Sequence, residues 1–396
     1  MPHNAQILFV ITNYPPRPGG AERHTQRLCA SLAERRNRIR VLTIRHSGYE
    51  PDRESERAPV WYFPTPPSTH LRDALFALWV AGVLPLLRPR YKQVQWVMTG
   101  LQLVLGLPIS ATLGMKNIVM LAGCGEGERL RHSVLGRWVL RMMKHHADRI
   151  IILNSAMKKE MESLGFEPDC LVLLGCEADP DKFWPPEKAE KALLRTQWGI
   201  AQDSTVIVFA GRLVPGKGLP ALLHAFVTLL SRHPTLVLVI AGGGVLLPEL
   251  HANVEQRGLG ASVLFTGQLD DLGVSKVLRC ADIFALPSES EGIPAALVEA
   301  LASGLPSVVS DIPGTEIVVE GIHGLRFESG NLAALTASLE SLIVNLNLRN
   351  RMGHAAHELY LSSFTPEKVA RAHELMYQSI LKKGAAGGEV ESAPQQ

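Results

Sequence analysis

One pattern limits what this chain can become more than any other, and it occurs twice: an apolar β-type run, a glycine-rich loop, then a helix. Residues 7–12 (ILFVIT) lead into 15–20 (PPRPGG) and a helix from Ala21 to about position 36. Residues 205–210 (TVIVFA) lead into 211–218 (GRLVPGKG) and a helix from Leu219 to about position 232. Further apolar runs fall at 40–44, 94–98, 118–121, 149–153 and 171–174, and again at 236–241, 263–266, 283–286 and 307–309. Strands without polar interruption belong to a parallel sheet covered on both faces by helices. The expected fold class is therefore α/β, with two Rossmann-like domains.

At 396 residues the chain suits two such units. The expected division is a first domain at 1–178, a linker rich in proline and charge at 179–186 (DPDKFWPP), a second domain at 187–364, a helix at 365–383, and a disordered tail at 384–396 without apolar periodicity. No short-period repeat suggests a solenoid.

Forty basic residues against 38 acidic give a formal charge of +2, which argues against a dedicated nucleic-acid binder. The five cysteines are odd in number and form no C-x-x-C, which argues for a reducing compartment and a cytoplasmic location. The first six residues are polar, without the form of a signal peptide. The longest apolar run, 74–87, contains Gly82 and Pro85 and falls short of the roughly 20 residues of a spanning helix. It is expected as a buried helix of the first domain.

The strongest chemical signal is 288–304, SESEGIPAALVEALASG. Glu291 and Glu299 are separated by seven residues, and a helix is expected to begin near Pro294. If the whole segment were helical, the two carboxylates would lie ~12 Å apart, the scale of a ribose, a diphosphate and a sugar laid end to end. Each carboxylate can accept from a sugar diol, and the helix start favours a phosphate between them. The loop 211–218 offers Arg212 as a planar fork and Lys217 as a point charge for phosphate. It follows a strand at the end where open α/β sheets bind ligands. In the first half, Gly19 and Gly20 precede a helix, again a place for phosphate. Gly242, Gly243 and Gly244 open like a dinucleotide fingerprint, but Leu247 stands where its last glycine belongs, so no nicotinamide cofactor is expected. Asp179 and Asp181 form a D-x-D around Pro180, read as structural rather than metal-binding. The stretch 129–149, from Arg129 through Trp138 to Arg149, mixes cations with apolar side chains. It reads either as a domain helix with a solvated basic face or as a surface for peripheral docking on anionic lipid at the inner face of a membrane.

Together these residues resemble the family-four retaining glycosyltransferases with the GT-B fold. The resemblance preserves order along nearly the whole chain: PPRPGGAE at 15–22, ADRIIILNSAMKKEM at 147–161, GRLVPGKG at 211–218, AGGGVLLPEL at 241–250, LFTGQLDD at 264–271, the run 281–311, and a G-x-x-G-L ending at 321–325. It implies that Gly19 and Gly20 line the donor phosphates, and that Arg212 and Lys217 neutralise the diphosphate leaving group. Glu299 would bind the ribose hydroxyls and Glu291 the donor sugar. Backbone at Gly292, Ala295, Ala296 and Leu297 would hold the sugar and β-phosphate, and the base would sit between Gly267 and Leu269. It further implies a cleft between the domains, no cofactor, no essential metal, and a last helix crossing back to the first domain.

Two positions depart from the family pattern. Relatives often carry His-Gly where this chain has Ala122-Gly123, followed by Cys124, Gly125, Glu126, Gly127 and Glu128. Either Glu126 or His132 is a candidate for the missing polar role on the acceptor side. Relatives also often read N-G-V-D where this chain has Cys176, Glu177, Ala178 and Asp179. The expected activity is transfer of a sugar from a nucleotide diphosphate sugar to an acceptor hydroxyl on a glycan, a lipid-linked molecule or a small molecule. Two other readings fit the same fold: a non-catalytic nucleotide-sugar-binding partner subunit, which the missing histidine motivates, and a nucleotide-sugar epimerase.

Overall fold

The computed structural model describes residues 5–15, 19–46, 57–64 and 69–383. The tail at 384–396 and residues 16–18 of the first glycine loop lie outside the described residues. The chain divides into two units, residues 1–175 with 367–396 and residues 176–366.

The first unit holds β1 (Gln6–Ile11), β2 (Arg38–Ile44), β3 (Val60–Phe63), β4 (Gln93–Val97), β5 (Lys116–Met120), β6 (Arg149–Ile152) and β7 (Leu171–Leu173). Its helices are α1 (Gly20–Glu34), α2 (Thr69–Leu87), α3 (Leu101–Thr112), α4 (Glu126–Arg131), α5 (Val134–His146) and α6 (Ser155–Ser163). The strands order β3-β2-β1-β4-β5-β6-β7, every pair parallel. Alternate side chains of β1 feed two cores, as a strand's twofold period requires. Leu8 and Val10 pack with Phe76, Leu103 and Val139 of α2, α3 and α5, whereas Ile7, Phe9 and Ile11 pack with Leu28 and Leu32 of α1.

The second unit holds β8 (Thr205–Ala210), β9 (Leu236–Ala241), β10 (Val263–Gly267), β11 (Ile283–Leu286), β12 (Ser307–Ser310) and β13 (Gly324–Phe327). Its helices are α7 (Lys188–Gln197), α8 (Leu219–Leu230), α9 (Leu247–Gln256), α10 (Asp271–Cys280), α11 (Ala295–Ala302), α12 (Leu332–Val344) and α13 (Leu346–Ser363). The order is β10-β9-β8-β11-β12-β13, again all parallel. A final helix, α14 (Pro366–Lys383), completes the first unit, placing Val369, Ala370, Met376 and Tyr377 in the core shared with α1. Strand order reverses between β1 and β4 and between β8 and β11, and the crevice at such a reversal is where open parallel sheets take ligands.

Four expectations need correction. The segment 179–186 is not a linker: it lies within the second unit, Phe183 is buried in the second core, and the Arg279 guanidinium lies 3.5 Å from the centre of the Trp184 ring. The run 74–87 is not a buried helix throughout. Phe76, Val80 and Leu84 of α2 face the core, but Leu71, Leu75, Leu78 and Leu86 are exposed. The stretch 129–149 is broken at Ser133, whose hydroxyl caps α5 by accepting from Gly136 N at 2.9 Å. Strands β3 and β13 were not expected; each has four residues at a sheet edge, too few for a clear period. Among the described residues no helix is long and apolar enough to cross a membrane.

Candidate functional site

In the second unit the loops after β8 and β11 meet at the strand reversal. Glu289 N donates to Gly216 O at 2.8 Å. Gly218 has φ +67°, and a Cβ there would collide with the Pro287 carbonyl oxygen, so only glycine lets the two loops close up. Lys217 Nζ lies 2.5 Å from Glu291 Oε1, and the Ser288 hydroxyl donates to the same oxygen at 2.7 Å. The lysine and glutamate side chains are 18% and 9% exposed. Arg212 stands exposed at the head of the loop. From the other side, Gly314 (φ +93°) sits against the Gly292 carbonyl oxygen with no room for a Cβ, fixing the Glu291–Gly292 backbone.

The eight-residue helix α11 starts at Ala295, so Glu291 lies in the loop before it and the helical-spacing argument does not apply to the pair. Glu299 is inside α11 and 4% exposed. The first N–H groups of the helix, which have no intrahelical partner in an α-helix, belong to Ala295 and Ala296. Leu297 differs from the expectation: its side chain is core, and its N–H is taken by the Pro294 carbonyl at 2.9 Å. Backbone bonds of 2.9 Å from Gly211 to Ala241, Leu213 to Gly243 and Gly242 to Gly267 stitch the ends of β8, β9 and β10 together. Gly267 ends β10 at φ +69°, and Leu269 follows, half-buried, just before Asp270 caps α10. Sequence reasoning missed Ser288 and Gly314. The signal for Gly314 was its place in a loop directly after a strand, as with Gly211.

Asp179 and Asp181 make a turn: Asp179 Oδ1 accepts from Asp181 N at 3.1 Å, and Oδ2 pairs with Lys182 at 3.3 Å.

In the first unit Gly19 precedes α1 and Gly20 is its first residue. A side chain at Gly19 would run into the Glu22 carboxylate, so the start of α1 already has an acidic neighbour, the charge that a helix N-terminus favours. Glu126 and His132 separate clearly. Glu126 is buried, and its carboxylate accepts from Thr99 N at 3.1 Å, from the Thr99 hydroxyl, and from Ala122 N at 2.8 Å. It ties the loops after β4 and β5 together. Glu160 of α6 adds to this by accepting from Gly125 N and Glu128 N at 2.9 and 2.8 Å. His132 is 79% exposed and lies 3.8 Å from Glu128. Of the two candidates at the Ala122 position, only Glu126 is held there.

Helix α2 packs on α3 and α3 on α5, forming one layer over the first sheet. Val134, Leu135 and Trp138 of α5 are exposed beside Arg137, Arg141 and Lys144.

Residues 19–177 match the model of the glycosyl transferase 4-like domain, and residues 190–359 that of glycosyl transferases group 1. The GDP-mannose-dependent alpha-(1-6)-phosphatidylinositol monomannoside mannosyltransferase of Mycolicibacterium smegmatis is 26% identical over 382 residues, covering 93% of this chain and 98% of that protein. The D-inositol 3-phosphate glycosyltransferase of Corynebacterium kroppenstedtii is 27% identical over 302 residues, covering 74% of this chain and 66% of that protein. Among solved structures, HepE of Anabaena in complex with UDP superposes with a TM-score of 0.80 at 21% identity, covering 94% of this chain and 100% of that one. At that identity the likeness is one of fold.

Proposed function

The chain belongs to the GT-B glycosyltransferases of the family-four type, and from that premise we propose that it moves a sugar from a nucleotide diphosphate to an acceptor hydroxyl with retention at the anomeric carbon. The observation that carries the proposal is the convergence of Lys217, Ser288 and Glu291 at the β8/β11 reversal. In this reading the second unit holds the donor. Arg212 and Lys217 stabilise the negative charge that develops on the departing diphosphate, commonly the largest catalytic contribution. Glu291 grips the sugar and Glu299 the ribose diol, while Ala295 and Ala296 offer N–H groups to phosphate oxygens. The reaction uses no cofactor and no metal. The relative named for GDP-mannose and the neighbour in complex with UDP support a nucleotide diphosphate sugar as the donor class. The exposed leucines of α2 and the basic, tryptophan-bearing face of α5 support peripheral docking on anionic lipid, and with it a lipid-linked acceptor.

The test is release of nucleoside diphosphate from a panel of nucleotide sugars, run in EDTA. Arg212→Ala and Lys217→Ala each lower turnover on the order of a hundredfold while the fold persists. Near-normal turnover in both variants would overturn the assignment.

A further inference from the structure

Lys217 and Glu291 carry opposite charges, yet the proposed reaction asks them to serve different parts of one substrate. The ammonium is assigned to the diphosphate and the carboxylate to the sugar. In the structure each occupies the other: Nζ and Oε1 are 2.5 Å apart, and that oxygen also takes the Ser288 hydroxyl. This is not a wandering surface pair. The Glu289–Gly216 backbone bond and the tight seat of Gly218 on Pro287 hold the two loops in register. The pair is mostly shielded from solvent, so salt screens it less than an exposed one.

We infer that Lys217 and Glu291 form an exchange pair, by which the sugar governs how tightly the diphosphate is held; the inference rests on the donor-site reading given above. With no sugar present, Glu291 neutralises the ammonium, and a nucleoside diphosphate must compete with a carboxylate for it. A complete donor brings hydroxyls to Glu291 and phosphate oxygens to Lys217 together, so neither group loses one partner before gaining another. Once the sugar has left, Glu291 recaptures Lys217 and loosens the spent nucleoside diphosphate. The same contact thus favours the intact donor over its product.

The sign is specific. Removing the charge of Glu291 while keeping its shape tightens binding of the sugar-free nucleotide. Calorimetry with UDP and with GDP on the wild-type protein, Glu291→Gln, Lys217→Met and the double variant reads this directly. Whichever nucleotide binds, its affinity for Glu291→Gln rises about fivefold, the upper end of what a partly exposed ion pair delivers. In the Lys217→Met background the same change has no effect, because nothing remains to be released. An unchanged or weaker affinity in Glu291→Gln, with Lys217→Met and Glu299→Gln both weakening binding, overturns the exchange pair and leaves the donor site standing. If neither Lys217→Met nor Glu299→Gln weakens binding, the donor-site reading itself fails and the exchange pair falls with it.

Discussion

Glu299 and Glu126 are both buried carboxylates, in α11 and α4, and the work assigned to them differs. Glu126 spends its oxygens on Thr99 and Ala122, so it acts on the loop after β5 by holding it. Glu299 projects from α11 in the segment that follows Glu291, the position assigned to ribose recognition. Two charge-assisted hydrogen bonds to a diol contribute roughly 1.5–3 kcal/mol each. Glu299→Ala is expected to weaken binding of the sugar-free nucleoside diphosphate by on the order of a hundredfold, measured by calorimetry with a melting curve as the control for folding. An affinity within twofold of wild type would displace the ribose from α11. Motif placed Arg212, Lys217 and Glu291 in loops that follow strands, and they lie in the loops after β8 and β11, whereas the Glu291–Glu299 spacing did not carry over, because Glu291 precedes α11. The Lys217–Glu291 contact was not legible, because it joins residues 74 positions apart and depends on how closely two loops pack.

At the scale of elements, the strands were read well wherever the chain buries both faces. TVIVFA and LVLVIA are uninterrupted apolar runs, and β8 and β9 fall on them. The edges β3 and β13 were missed because partial exposure dilutes the pattern. The supposed linker was misread for another reason: proline and charge mark an irregular path equally well when its aromatic side chains are anchored in a core. How such irregular segments are fastened is visible at Asp282, just before β11. Its carboxylate accepts from Lys191 at 2.7 Å, Arg195 at 2.6 Å and Val206 N at 2.8 Å, joining α7 to the start of β8. Burial by itself would raise the Asp282 pKa, but the two cations and the hydrogen bonds outweigh it and hold the carboxyl below its ordinary value. A depressed pKa contributes stability that is present above the unfolded value, about 4, and is lost as pH falls through the folded one. Asp282→Asn should therefore cost about 3 kcal/mol at neutral pH, by leaving Lys191 and Arg195 without their counter-charge. Urea unfolding of the wild type and the variant checks this, and the gap between them should narrow below pH 4. A gap that stays constant into acid would show that the charge is not its source.

For the whole molecule, the outward layer α2–α3–α5 is the surface on which composition and structure disagree most. The net charge is near zero, yet α5 presents Arg137, Arg141 and Lys144 around an exposed Trp138, and α2 turns four leucines outward. Each basic residue near an anionic surface contributes about 1 kcal/mol. The protein should co-sediment with phosphatidylglycerol vesicles and not with phosphatidylcholine vesicles. Replacing Arg137, Trp138 and Arg141 together by alanine should lower that binding about tenfold or more. Equal recovery of the triple variant would remove α5 from the docking surface. The path of the backbone has another consequence. The first unit is written in two instalments, and the second lies whole between them. On a ribosome, residues 176–366 can close their own core as soon as they emerge. The face of the first sheet that bears Ile7, Phe9 and Ile11 must wait, its isoleucines and phenylalanine only partly roofed, until α14 has been made. The half that is begun first is the half that is finished last.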